Sequence, residues 1–159
     1  MTAVIALANG KGGVKKSSMS RAIATEYTKA GWGVLGLDMD IDQGSFLDWG
    51  QRRLRNGFEP PVTIQGCGTV SQAKKQIESG QWDLIVIDSA AYATKSLLSL
   101  IDIVDLLVLP TGFSVDDLRT TVTTVNALRN KGHLTDKMAV VFAGVSESES
   151  EYRAALEYL

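Results

Sequence analysis

The chain has 159 residues, 45% of them hydrophobic, and this composition predicts a single globular domain over residues 1–159 rather than a disordered chain. Its net charge of −2 argues against a protein whose entire surface attracts nucleic acid, but a local basic patch is compatible with it. The lone Cys67 excludes an internal disulfide and a cysteine-rich metal site, and the sequence shows no leader pattern or long apolar run, so we expect a cytoplasmic protein without a membrane span.

The first element is an apolar strand that runs directly into a loop rich in glycine and lysine. Residues 2–8 are apolar on both faces of the predicted strand, as in a parallel strand that helices cover on both sides. After the loop a helical pattern begins at Ser17 and is stopped by Gly31. This order of strand, glycine-rich loop and helix is the context that a phosphate-binding loop requires.

The loop has the residue types that bind phosphate. Glycines let backbone N–H groups approach phosphate oxygens, and the start of the helix adds free N–H donors and the positive end of its dipole. In this frame the Lys16 ammonium reaches the β- and γ-phosphates of a nucleotide, and the Ser17 hydroxyl ligates Mg²⁺. The residues expected to bind the nucleotide are Gly10, Gly12, Gly13, Val14, Lys15, Lys16, Ser17 and Ser18.

Lys15 stands where the Walker A pattern Gly-x-x-x-x-Gly-Lys-Ser/Thr has its second glycine. Reading the pattern one residue earlier puts Lys16 in the hydroxyl position, where it cannot bind magnesium, so Lys16 and Ser17 keep their roles. If position 15 needs a positive φ, a side chain there costs roughly 1–2 kcal/mol, besides crowding the phosphates. We therefore expect weakened or altered nucleotide handling, although the positive charge of Lys15 could partly compensate.

The second predicted strand, residues 33–40, ends in two carboxylates, Asp38 and Asp40. Residues two apart on a strand share a face, so both carboxylates can point toward one site. That site lies at the carboxyl end of the strand, where ligands bind in open α/β sheets.

The next predicted helix begins at Ser45, which could cap it, and ends with three arginines, Arg52, Arg53 and Arg55. Positive charges at a helix C-terminus have an ordinary explanation, because they stabilise the helix dipole. Contact with a partner or with the DNA backbone is the alternative, and the sequence leaves both open.

The remaining chain alternates strands and helices. Ser114, with Asp117 three residues later, is typical of a helix start; the apolar face expected for this helix consists of Val115, Leu118, Val122, Val125 and Leu128. The other predicted strands are residues 62–64, 82–88, 105–110 and 138–143, and the other predicted helices are residues 70–79, 93–100 and 149–159. Alternation of this kind predicts a three-layer, doubly wound α/β fold with a mostly parallel sheet.

Four segments in register resemble the ParA/MinD family of P-loop ATPases, and the partition ParA proteins most of all. They are residues 5–14, which form a deviant Walker A loop with Lys11 as its signature lysine, residues 33–45, residues 83–88 as a Walker B strand, and residues 105–110. Two other features depart from the family pattern: residues 89–91 lack its prolines, and residues 40–43 are one residue longer. The resemblance also implies that the chain lacks the C-terminal part usual in the family.

The resemblance implies a role for each matching residue. Lys11 would reach the nucleotide of a partner subunit, so that two chains sandwich two ATP molecules. Asp40 would orient and activate the attacking water, and Asp38 and Asp88 would hold the magnesium shell, mostly through water. Pro110 would lie beside the adenine. ATP or ADP and Mg²⁺ are the implied cofactors.

The implied function is an ATPase that forms an ATP-dependent homodimer for plasmid or chromosome partition or for cargo positioning. Non-specific DNA, a ParB-like adaptor and an association with the nucleoid in the cytoplasm belong to this expectation. The alternatives are a nucleotide-bound scaffold with impaired hydrolysis and a conjugation-accessory or MinD-like relative. The candidates for DNA contact are Arg52, Arg53, Arg55, Lys74, Lys75, Arg129 and Lys131.

Overall fold

The computed structural model describes residues 1–90, 94–133 and 135–159, in which strands and helices alternate along the chain. The strands are β1 (Ala3–Leu7), β2 (Val34–Asp38), β3 (Thr63–Gly66), β4 (Leu84–Asp88), β5 (Leu106–Thr111) and β6 (Met138–Phe142). The helices are α1 (Lys16–Lys29), α2 (Ser45–Arg55), α3 (Val70–Glu78), α4 (Thr94–Ile101), α5 (Val115–Arg129) and α6 (Glu149–Tyr158). Two predicted features, the start of the helix over 93–100 and the end of the segment 89–91, extend outside the described residues.

All strand pairs are parallel, and the sheet order is β3-β2-β4-β1-β5-β6. The predicted doubly wound α/β fold is therefore confirmed. Leu7 of β1 and Asp38 of β2 are both in register with Asp88 of β4. Because parallel strands end at a common edge, the loop after β1 and the two strand-end carboxylates meet there.

The apolar sequence of the central strands follows from burial on both faces. Every residue of β2 and β4 is buried, and the sheet has one apolar cluster on each side. One cluster packs against α3, α4 and α5 through Ala73, Leu100 and Leu128. The other packs against α1 and α2 through Ala24 and Phe46. This arrangement gives the three layers that the sequence predicts.

Helix α2 lies very close to the sheet because β2 has a glycine beneath it. A Cβ on Gly36 would come within 2.7 Å of the Phe46 ring, a distance that real contacts do not reach. Phe46 is fully buried at this contact. The absence of a side chain at Gly36 thus sets the position of the first turn of α2, which contributes to the candidate site described below.

Two expectations for the helices need correction. Ser45 does not cap α2: the capping position is Gly44, with φ 54°, and Ser45 is the first helical residue. A left-handed cap is available to glycine at little cost, which explains why the hydroxyl one position later does not take the role. Along α5, Val115 is 55% exposed, whereas Thr121 and Thr124 are buried with Leu118 and Leu128.

The predicted start of α5 is confirmed, because the Ser114 hydroxyl accepts a hydrogen bond from the Asp117 backbone N–H. In the three described segments of the chain, no helix has the length and apolar character needed to cross a membrane.

Candidate functional site

A cavity of about 310 Å³ lies at the carboxyl edge of the sheet, between the loop after β1 and the segment after β2. Its lining residues are Gly12, Gly13, Lys15, Lys16, Ser17, Ser18, Asp40, Gln43 and Ser89. Six of the eight residues predicted to bind the nucleotide are among them, whereas Val14 is buried and Gly10 is exposed outside this lining. Gln43 and Ser89 are additions that the sequence patterns did not single out.

The Lys16 side chain folds back over the loop that precedes it. Its Nζ donates a hydrogen bond to the carbonyl oxygen of Lys11 at 3.2 Å. Burial lowers the pKa of the Lys16 ammonium, and the carboxylates of Asp88 and Asp40 oppose that shift. The wall of the cavity thus contains a half-buried cation that is hydrogen-bonded to the loop and has acidic groups near it.

Lys11 forms an ion pair within its own chain. Its Nζ lies 2.5 Å from Oδ1 of Asp117, in the first turn of α5. The hydrogen bond to Asp117 raises the pKa of Lys11. Burial acts to raise the pKa of Asp117, but the hydrogen bonds with Lys11 and Ser114 keep it below its ordinary value. The family resemblance implies a role for Lys11 between subunits, and the sequence did not indicate this internal partner.

Asn9 anchors the start of the loop. It is buried, its Nδ2 donates to the carbonyl oxygen of Pro110 at 2.8 Å and to Oγ1 of Thr121 at 3.1 Å, and its Oδ1 accepts from the backbone N–H of Lys11. The side-chain amide of Asn9 therefore donates to a backbone carbonyl of β5 at the point where β1 has ended and no longer pairs with that strand. The sequence signal for this role is a polar residue at the end of a buried apolar strand.

Pro110 is itself buried in β5 and does not line the cavity described above. Its carbonyl oxygen, through Asn9, ties β5 to the loop. Its position beside an adenine stays a prediction from the family resemblance.

Asp38 organises the segment that follows β2. Its carboxylate is 1% exposed, and its Oδ2 accepts the backbone N–H groups of Phe46 and Leu47, both at 2.9 Å. Its Oδ1 accepts the backbone N–H of Asp40 at 3.0 Å. Both oxygens thus have backbone donors, and the negative charge lies at the positive end of the α2 dipole. This structural role is one that the sequence patterns did not reveal.

Asp40 and Asp88 have fewer internal partners than Asp38. Oδ1 of the half-buried Asp40 accepts only the backbone N–H of Gln43, at 3.2 Å, among the hydrogen bonds of the described residues. Asp88 is 2% exposed, and no described residue donates a hydrogen bond to its Oδ1. Burial raises the pKa of Asp88 to about 6; the hydroxyls of Ser17 and Ser20 and the Lys16 ammonium oppose the shift, whereas the charge of Asp38 adds to it. A buried carboxylate oxygen without a donor is a ready ligand for a cation.

A comparison with protein families identifies this chain. The model of the CobQ/CobB/MinD/ParA nucleotide-binding domain matches residues 5–159, which is nearly the whole sequence. The chain belongs to this family. A comparison with curated proteins gave no match.

Solved structures of similar fold agree with this membership. A plasmid partition protein of Borrelia burgdorferi superimposes with a TM-score of 0.70 at 14% identity, over 96% of this chain and 82% of that one. Cobyrinic acid a,c-diamide synthase of Mycobacterium smegmatis, with bound ADP and magnesium, gives 0.71 at 18%, over 99% and 80%. The MinD cell division protein of Aquifex aeolicus gives 0.70 at 20%, over 96% and 74%. At these identities the likeness establishes the P-loop fold.

The donors of this ParA/MinD-family domain fit a magnesium ion that retains most of its water. In the described segments, no three His, Cys, Asp or Glu side chains are grouped as a cage for a metal. Magnesium bound with a nucleotide does not need such a cage, because it takes one or two carboxylates, a hydroxyl, phosphate oxygens and water. The Ser17 hydroxyl and the unpartnered oxygen of Asp88 supply that kind of set.

Ser45 supports Ser17 from the first turn of α2. Its hydroxyl donates to the Ser17 hydroxyl oxygen at 2.9 Å, and its carbonyl oxygen accepts from Nη2 of Arg21 at 2.7 Å. The nucleotide-binding domain thus couples the segment after β2 to the hydroxyl that is predicted to bind the metal. Ser45 lies five residues after Asp40, at the start of the helix that follows the two strand-end carboxylates, and this proximity is the sequence signal that could have identified it.

The basic residues proposed for DNA contact are dispersed over the domain. Arg53 donates to the carbonyl oxygens of Glu59 and Pro60 and lies over the ring of Trp49, so it has a structural role. Helix α2 lies on the face of the sheet opposite to α3 and α5. The other candidates are Lys74 and Lys75 in α3, Arg129 at the end of α5, and Lys131 just after it. The seven residues therefore do not form a single patch.

Proposed function

We propose that this chain is an ATPase that binds ATP and Mg²⁺ at the loop between β1 and α1. One observation carries the proposal: Lys16, Ser17 and Asp40 line a single cavity together with the glycines of the loop. An ammonium for the phosphates, a hydroxyl for the metal and a carboxylate for water are the groups that phosphoryl transfer needs, and they are assembled at the sheet edge where ligands bind.

The residues have distinct roles in this proposal. The glycines and the first N–H groups of α1 bind phosphate oxygens, and Lys16 neutralises the charge of the β- and γ-phosphates. Ser17 and Asp88 ligate magnesium, whereas Asp38, with its oxygens already bonded to backbone, contacts the metal shell through water. Magnesium supplies further charge neutralisation at the phosphates. Asp40 accepts a hydrogen bond from the attacking water and orients it toward the γ-phosphate.

The proposal includes a homodimer in which Lys11 reaches the nucleotide of the partner subunit. In the single chain Lys11 is paired with Asp117, and it is 40% exposed. Lys11 therefore exchanges one anionic partner for another when the dimer forms. We expect ATP-dependent dimerisation in light scattering and its loss in Lys11→Ala. The control is Lys29→Ala, which removes another exposed ion-paired lysine, at the far end of α1. A wild-type chain that stays monomeric with ATP contradicts the dimer.

In the cell, such a dimer would position or segregate a plasmid, a chromosome or another large cargo. The support is the family membership and the similarity in fold to a plasmid partition protein and to MinD. Non-specific DNA binding in the nucleoid and a ParB-like adaptor complete this proposal. A salt-dependent DNA-binding curve with and without ATP tests the first of these.

A second candidate, a nucleotide-bound scaffold with slow turnover, is favoured by the strained backbone of Lys15 within the phosphate loop. Steady-state phosphate release separates the two candidates. The ATPase proposal predicts release by the wild type and its loss in Asp40→Ala. Equally slow release by both proteins would favour the scaffold and overturn the ATPase.

A further inference from the structure

Lys15 has an unusual backbone for a residue with a side chain. Its φ is 67°, and it is the one non-glycine residue with positive φ in the part of the chain that the structure describes. It also occupies the capping position of α1 without forming a side-chain cap. Lys15 stands where the Walker A pattern has its second glycine, and its backbone takes a conformation that favours glycine although the residue has a long cationic side chain.

The Lys15 side chain lies against Gly144, directly after β6. A Cβ on Gly144 would come within 2.9 Å of Cε and 3.3 Å of Cγ of Lys15, so the absence of a side chain there makes room for the lysine stem. The sheet order places β6 on one side of β1, and β2 and β4 on the other. Lys15 therefore extends away from Asp40 and Asp88.

The charge of Lys15 distinguishes it from its two neighbours in the loop. Lys11 is paired with Asp117, and Lys16 donates to the carbonyl oxygen of Lys11. No hydrogen bond or ion pair joins the Lys15 side chain to another described residue, although its backbone carbonyl oxygen accepts from the N–H of Met19. Lys15 also lines the same cavity. An exposed ammonium beside a phosphate site attracts anionic ligands over several ångströms.

We propose that Lys15 is a third phosphate-binding lysine, placed by Gly144 and acting on the phosphates nearest the nucleoside. This inference rests on the proposed function. The water- and metal-binding groups Asp40 and Asp88 mark the γ-phosphate end on the β2 and β4 side, so the rest of the nucleotide extends toward β5 and β6. An ammonium on that side contacts phosphates that ATP and ADP share. In this chain the position of the second Walker A glycine is thus taken by a lysine whose charge contributes to nucleotide binding.

Calorimetric titration of Lys15→Met with ATP and with ADP, each with Mg²⁺, tests the proposal. Methionine keeps the stem and the strained backbone but removes the charge. We expect about tenfold weaker binding of both nucleotides, since one charge-assisted hydrogen bond is lost. Lys15→Arg is expected to bind within about threefold of the wild type. Raising the salt concentration is expected to reduce the difference in nucleotide affinity between the wild type and Lys15→Met, because salt screens an exposed ammonium.

Two further proteins make the result decisive. Gly144→Ala keeps the ammonium but obstructs the stem, and it also strains the backbone because φ at this residue is 66°. It is expected to weaken the binding of both nucleotides and to lower the free energy of unfolding. Lys29→Met is the control for loss of a distant charge. Suppose that the wild type binds both nucleotides. If Lys15→Met then has the same affinities within twofold, or is weakened in its binding of ATP but not of ADP, the Lys15 proposal is overturned while the proposed function stands. If the wild type binds neither nucleotide, the proposed function itself fails.

Discussion

Helices α1 and α2 follow the two loops that line the cavity. The two helices begin in the same way, but the N–H groups of their first turns have different acceptors. Both follow a residue in the left-handed conformation, Lys15 with φ 67° and Gly44 with φ 54°, and neither of these residues caps its helix with a side chain. The first N–H groups of α2 donate to the buried carboxylate of Asp38. Among the described residues, no side chain accepts from the first N–H groups of α1.

The same difference appears in the two carboxylates that end neighbouring strands. Asp38 and Asp88 are in register on β2 and β4, and both are buried. Asp38 is bonded to three backbone N–H groups, whereas Oδ1 of Asp88, beside α1, has no donor among the described residues. The region around α2 is thus satisfied by the chain itself. The region around α1 keeps its donors, its cations and a carboxylate oxygen available to ligands, and this contrast locates the site.

The largest expected effect on stability comes from removing the Asp38 carboxylate, which accepts hydrogen bonds from the first N–H groups of α2. Asp38→Ala leaves one buried and two partly buried N–H groups without their acceptor, so we expect a loss of about 3 kcal/mol in the free energy of unfolding. Urea unfolding followed by circular dichroism measures it. The matched control is Ser114→Ala at the start of α5, for which the loss of an exposed cap is expected to cost about 1 kcal/mol. An Asp38→Ala protein no less stable than the control would contradict this account of α2.

The burial of Asp88 is expected to make the free energy of unfolding depend on pH. Its pKa is raised from 3.8 to about 6 in the folded chain, so between these values the folded state retains a proton that the unfolded state has lost. Stability conferred by the protonated form is therefore present below about pH 4 and is lost as the pH rises through 6. The shift corresponds to about 3 kcal/mol.

Asp88→Asn, an uncharged analogue of the protonated carboxyl, provides the comparison. Without magnesium or nucleotide, we expect it to unfold at a higher urea concentration than the wild type at pH 8 and at about the same concentration at pH 4. The difference between the two curves isolates Asp88 because all other titrating groups are shared. A difference that does not change between pH 4 and pH 8 would show that Asp88 is ionised throughout.

The smallest expected effect concerns the left-handed residues before the two helices. Lys15→Gly removes a Cβ from a left-handed position and is expected to raise the free energy of unfolding by about 1 kcal/mol. Gly44→Ala introduces a Cβ at the equivalent position before α2 and is expected to lower the free energy of unfolding by about 1 kcal/mol. Thermal unfolding of the two variants should therefore shift in opposite directions. Shifts in the same direction would mean that backbone strain at these positions is not what distinguishes the two residues.

The sequence predicted the features that depend on local pattern. The buried strands, the phosphate loop and the convergence of Lys16, Ser17 and Asp40 follow from apolar runs and from motif spacing, because the edge of a parallel sheet collects whatever follows its strands. The positive φ of Lys15 was also foreseeable, since the motif demands glycine there.

The features that were missed depend on contacts between distant segments. Asn9 bonds to Pro110 and Thr121, and Lys11 pairs with Asp117, more than a hundred residues away in both cases. The first N–H groups of α2 donate to the Asp38 carboxylate at the end of β2, and Phe46 packs closely on Gly36; motif spacing indicates neither contact. The apolar periodicity also predicted part of the buried face of α5 wrongly. Thr121 and Thr124 are buried there because their hydroxyls donate to helix carbonyls one turn earlier.

Calorimetric titration of ATP and Mg²⁺ into the wild type and into Lys16→Ala tests whether the loop after β1 binds the nucleotide. We expect the wild type to bind one ATP per chain and the variant to lose about 100-fold or more in affinity, because a half-buried ammonium that neutralises the phosphates is removed. Circular dichroism would verify that the variant is folded. A folded wild type that takes up no adenine nucleotide, or a variant that binds ATP as well as the wild type, would contradict the assignment of this loop as the nucleotide site.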